Sequence, residues 1–122
     1  SAAGIIYTVD VTKPKGEKVT IISMADGTPF SMDKMYKVAL NSYRGNGGGE
    51  LLTKGAGIPQ DELKGRILFS TDKDLRYYLM QYIEKKGVIE PHALGQWKFI
   101  PEEWVEPAAK RDYEYLFGKV EK

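Results

Sequence analysis

Between Gly4 and Met24 the side-chain alternation spells out an antiparallel hairpin, and that leaves little choice of fold class. GIIYTVDVT (Gly4–Thr12) sets Tyr7, Val9 and Val11 against Thr8 and Asp10 with the period of two that a half-buried strand requires. KVTIISM (Lys18–Met24) has the same strand-forming character, and KPKGE (Lys13–Glu17) between them is a five-residue turn. ADGTPF then supplies a second turn through Asp26-Gly27, and SMDKM fits one helical turn. Tyr36–Tyr43, apolar at Tyr36, Val38 and Leu40, is expected to be a third strand beside the hairpin.

The period then changes. ELLTKGAGIPQDELKGR is broken by Gly55, Gly57, Pro59 and Gly65, so only short helical turns fit; ILFS (Ile67–Ser70) is a short strand or an extended lead-in. Asp72–Lys86 is the strongest helix, with Thr71 as cap, Asp74 at the capping-box position and Gly87 past the end. Leu75, Tyr78, Leu79, Tyr82 and Ile83 form one stripe at helical spacing. Burying all five against the sheet would contribute about 10 kcal/mol before side-chain entropy is subtracted. GQWKFIP is a short strand carrying Trp97 and Phe99, and EPAAKRDYEYLFGK is a terminal helix with Pro107 near its first turn and Gly118 at its end. Strands first and helices later give an α+β class, a mixed or antiparallel sheet with helices packed on it.

At 122 residues the chain suits one domain, 1–122, rather than two. Eighteen Lys and Arg against 17 Asp and Glu leave a net charge of +1, so there is no basic field for a nucleic-acid polymer or an anionic membrane surface. A single nucleotide, recognised by local groups, stays open as a ligand. With no cysteine there is neither a disulfide framework nor a thiolate metal site, and no apolar run approaches a spanning helix. The opening SAAG is read as a cut site or cloning scar, and the chain as a piece of a longer protein.

Hydrolytic chemistry is poorly provided for. His92, beside Pro91, is the one histidine, so a Ser-His-Asp triad elsewhere has no base, and a metal cluster would lack imidazole. TDKD and PEEW group carboxylates, but the first sits at a helix start, where Asp answers the helix dipole. The segment that stands out is NSYRGNGGGEL. It is neither a Walker loop nor a G-x-G-x-x-G fingerprint, and such glycines often serve only to turn the chain. Its neighbours suit a ligand, however. Tyr43 at the end of a strand can offer its ring as a stacking platform, Gly47, Gly48 and Gly49 let backbone amides approach closely, and Asn41 and Asn46 add amide groups.

The run from Gly4 to Gly49 resembles the second half of the C-terminal domain of the 5'-nucleotidase family, which includes the 2',3'-cyclic-nucleotide 2'-phosphodiesterase/3'-nucleotidases. The pattern is G-I-x-Y-x-x-D, a hairpin ending in D-G-x-P, then Y-x-V-A-x-N, an aromatic residue and G-G; all occur here in that order. The resemblance implies a nucleoside-binding, substrate-specificity part of a nucleotide phosphohydrolase, in which Tyr43 is one ring of a base clamp. Asn41, Arg44, Gly45, Asn46, Gly47, Gly48 and Gly49 line the same site. It implies, too, an N-terminal metallophosphoesterase domain with two divalent metal ions as partner, no cofactor in this chain, no catalytic residue here, and a periplasmic or extracellular location.

One departure bears on the branch. Many 5'-nucleotidases read G-G-D-G, and the aspartate position is Gly49 here. A 2',3'-cyclic phosphate has no free hydroxyl pair to offer that carboxylate, and Y-R-x-x-G-G-G is more similar to the cyclic-phosphodiesterase branch, although Glu50 stands one residue later as a substitute. The competing reading is a non-catalytic α+β interaction or structural module carrying Trp97 and Trp104, with no nucleotide site. For a fragment, surface left open by a missing half would favour self-association.

Overall fold

A computed structural model describes residues 1–118 and divides the chain into two compact units. One comprises Ser1–Lys34 with the chain from His92 onward; the other is Met35–Pro91. The architecture is α+β, with a three-stranded mixed sheet and helices.

In the first unit, β1 (Ile5–Asp10) and β2 (Val19–Met24) form the antiparallel hairpin that their alternation demands. The connection, residues 11–18, is longer than the five residues of KPKGE, and Asp10 at the end of β1 anchors it: Oδ1 of Asp10 accepts from the N–H of Thr12 at 2.9 Å and from its hydroxyl at 2.7 Å. These two bonds, the hydroxyl one foremost, hold the Asp10 carboxyl below its ordinary pKa, and Thr28 does the same for Asp26 at the next turn.

The third strand is β3 (Trp97–Ile100), parallel to β1 in the order β2-β1-β3. Tyr36–Tyr43, expected in that place, is not a strand. A strand has two edges, and β1 gives one to β2 and the other to β3. The Tyr7 ring, buried at this junction, lies parallel to Trp97 with centroids 6.0 Å apart, and Phe99 meets Trp97 edge-on at 5.0 Å. Helix α3 (Glu102–Phe117) follows, tied back to β3 by the Lys98–Glu102 ion pair. It starts four residues before the expected EPAAKRDYEYLFGK, which puts Pro107 in its interior, where no N–H is available for the Glu103 carbonyl. Gly118 ends it as expected.

In the second unit, α1 (Ser42–Gly45) leads through a 3₁₀ turn at Gly48–Glu50 and a π turn at Leu51–Gly55 to another 3₁₀ turn at Leu63–Arg66. Ile67–Ser70 forms no strand, and Met32–Lys34 make a turn rather than a helical one. Helix α2 (Leu75–Lys86) is present, but its cap is Asp74, whose Oδ1 accepts from the Tyr77 N–H at 2.9 Å. Thr71 accepts from the Lys73 N–H instead and shares a 2.7 Å bond with the Tyr78 hydroxyl. The apolar stripe of α2 is not buried: Leu75, Tyr78, Leu79, Tyr82 and Ile83 are 45–67% exposed. Helical spacing decides that five side chains share a face, and does not decide what covers it.

Candidate functional site

The glycine-rich loop is built from Asn41 upward. Asn41 has extended backbone, and its Oδ1 accepts from the Arg44 N–H at 2.9 Å, so the chain turns helical there. Tyr43 therefore projects from the short helix α1 and not from a sheet edge. The residue is 63% exposed. The Arg44 guanidinium carbon lies 5.6 Å from the ring centroid, a cation–π contact.

Each of the three consecutive glycines meets a different neighbour. A Cβ on Gly48 would sit 2.5 Å from the Tyr43 carbonyl oxygen and 2.6 Å from Cδ2 and Cε2 of its ring, so the loop backbone lies directly against Tyr43. Gly49, at φ 68°, gives the space its side chain would fill to the Arg44 guanidinium. Gly47, at φ 92°, sits against Gln60 Oε1 and the Leu63 side chain. Gly45 faces open space.

Asn46 closes α1, its N–H donating to the Ser42 carbonyl at 2.9 Å, while its own carbonyl accepts from Gln60 Nε2 at 3.0 Å. Glu50 follows at φ 58°, an unusual left-handed conformation for a non-glycine residue, and pairs with Lys54 at 2.7 Å. The structure thus gathers Asn41, Tyr43, Arg44, Gly45, Asn46, Gly47, Gly48 and Gly49 into one loop. Gln60 and Leu63, which brace it, lie outside the sequence reading; Leu63 is only 5% exposed. The signal for them was a single leucine between turn residues, too little to tell a brace from a spacer.

The arrangement offers an exposed tyrosine with a guanidinium over its ring. Among the described residues, no three His, Asp or Glu side chains converge as a metal site, and no helix is long and apolar enough to cross a membrane. A cavity of about 100 Å³ lies beside Tyr7, Gln96 and Trp97, and a depression of about 300 Å³ beside Asp74, Leu75, Arg76 and Leu79; neither is lined by the loop.

Residues 1–54, which take in the hairpin and the entire glycine loop, match the family model of the 5'-nucleotidase C-terminal domain. That segment is similar to the 5'-nucleotidase C-terminal domain. No curated protein and no solved structure matches the chain. The match supports a nucleotidase-associated domain and takes in the segment that carries Tyr43.

Proposed function

We propose that this chain is the nucleoside-binding, substrate-specificity part of a nucleotide phosphohydrolase, and that residues 1–122 form one portion of its C-terminal domain. The observation that carries the reading is Tyr43, an exposed ring backed by Gly48 inside the family-matched segment. In this reading the nucleobase stacks on Tyr43, with Asn46 to Gly49 along the nucleoside side. Asn41 sets the turn that presents the ring, and Arg44 supplies positive charge beside Gly49. An N-terminal metallophosphoesterase domain of a longer protein, holding two divalent ions, supplies the hydrolysis, and the whole protein works in the periplasm or outside the cell. The absence of a carboxylate at Gly49 favours the 2',3'-cyclic-nucleotide branch over 5'-nucleotides.

The test compares two substrates in the full-length protein. Base–aromatic stacking contributes roughly 1–3 kcal/mol, so Tyr43→Ala is expected to lower kcat/KM for nucleotides about five- to a hundredfold, and Tyr43→Phe very little. An aryl phosphate too small to reach the ring is expected to be hydrolysed at nearly the original rate. Equal losses on both substrates, accompanied by a lower melting temperature, would assign Tyr43 to packing and end the stacking role.

A further inference from the structure

We propose that Asn46 is a modification site: the closed loop holds off, and on opening releases, a spontaneous deamidation across the Asn46–Gly47 peptide. This chemistry does not depend on the role proposed for Tyr43. The chain has two asparagines, Asn41 and Asn46, and only Asn46 precedes a glycine. The asparagine amide is a thermolabile group. In the step, the Gly47 nitrogen gives up its proton and attacks Asn46 Cγ; the N–Cγ bond forms, the Cγ–Nδ2 bond breaks and ammonia leaves. Water then opens the cyclic imide at one carbonyl or the other, leaving aspartate or isoaspartate at this position. Glycine has no Cβ to crowd the attacking nitrogen. Asn41 is less well placed, because Ser42 follows it and its Oδ1 is held by the Arg44 N–H at 2.9 Å. Asn46 is exposed and is held through its backbone, by Ser42 and Gln60.

Two features of the closed loop block the attack. At ψ 12° the Gly47 nitrogen nearly eclipses the backbone nitrogen of Asn46 itself, so it is turned away from the side chain and no five-membered ring can close. The Gly47 N–H, which must lose its proton, donates to the Arg44 carbonyl at 3.0 Å. Rotating this peptide breaks that bond and swings the Asn46 carbonyl off Gln60 Nε2, which donates to it at 3.0 Å. Gly47 is also seated against Gln60 Oε1 and the Leu63 side chain. The reaction therefore needs an opened loop, and its rate follows the opened fraction.

The products differ from Asn46 in charge, and one of them in chain length. Either puts a carboxylate two residues from Arg44, in a loop whose other carboxylate, Glu50, is paired with Lys54 at 2.7 Å. Isoaspartate routes the backbone through the side-chain methylene and so lengthens the chain ahead of Gly47. Gly48 lies against Tyr43 with no room for a Cβ, and a lengthened loop cannot keep that seat. Deamidation thus converts the closed loop into one that no longer closes in the same way.

The experiment ages the whole chain at mildly alkaline pH, with and without denaturing urea, and follows aspartate and isoaspartate at Asn46 by peptide mass spectrometry. Hydrogen exchange of the Gly47 amide is measured on the native chain alongside. Product is expected at Asn46 at least about tenfold faster in urea than in the native chain, with Asn41 lagging in both. Gln60→Ala removes the brace, one hydrogen bond, so native deamidation and Gly47 exchange are expected to rise together by about two- to tenfold while the rate in urea does not change. Asn46→Gln, whose longer side chain closes no five-membered ring, is expected to form no product. Equal rates with and without urea overturn the proposal, and that comparison, which needs no variant, decides the matter if Gln60→Ala fails to fold. So does a chain in urea that forms no product at Asn46 or reacts first at Asn41. A folded Gln60→Ala chain whose two rates do not rise together overturns it as well.

Discussion

Replacing Gly48 by alanine tests whether the loop is fitted against Tyr43 or merely passes it. Ordinary contacts for a Cβ begin at 3.4 Å, and the new atom would stand 2.5 Å from the Tyr43 carbonyl oxygen and 2.6 Å from two ring carbons. The loop or α1 must therefore yield by nearly 1 Å; turning the ring relieves the carbons but not the backbone oxygen. Overpacking of this kind costs about 1–3 kcal/mol. That is about five- to 150-fold in the population of the opened loop, read from exchange of the Gly45 and Asn46 amides that bond Asn41 and Ser42 at 2.9 Å. Gly45→Ala is the control, because a Cβ there has nothing within 4 Å and α1 is expected to be unchanged or stabilised by up to about 1 kcal/mol. If Gly48→Ala and Gly45→Ala exchange at the same rate, the close approach to Tyr43 is not a constraint and the reasoning fails.

Leu63→Ala is expected to lower the stability of the Met35–Pro91 unit by about 2–5 kcal/mol in denaturant unfolding, since it removes a side chain only 5% exposed. Glu50→Gly relieves left-handed backbone at φ 58° and is expected to be neutral to about 1 kcal/mol stabilising by the same assay; the Lys54 pair it loses is exposed and contributes little. Asp10 and Asp26 are both held below 3.8, so the stability they contribute is present above that value and is lost as pH falls through their lower, folded-state values. A carboxyl titration by NMR is expected to show Thr12→Val returning Asp10 towards 3.8 while Asp26 stays where it was.

What the sequence determined by itself is the local part of this protein. Alternation at Tyr7, Val9 and Val11 is enough for the hairpin, helical spacing and Gly87 are enough for α2, and the breakers between Gly55 and Gly65 are enough to forbid a long helix there, because each signal acts within one or two turns of chain. The pattern from Gly4 to Gly49 also carried the resemblance to the family, and the residues of the candidate loop are consecutive, so they were bound to end up together. Their setting was less legible. Asn41 can lie in a strand or cap a helix, and the bond from the Arg44 N–H chose the cap, which moved Tyr43 from a sheet edge to a helical turn. The brace from Gln60 to Asn46 spans 14 residues and has no local signature. Only the tertiary structure decided which strand completes the sheet: Tyr36–Tyr43 and Trp97–Ile100 both alternate acceptably, and β1 has a single free edge, taken by the strand some 90 residues distant in sequence. Which faces are covered is likewise a property of the assembled chain, as the exposed stripe of α2 shows, since the period of a helix records its own geometry and nothing of its neighbours.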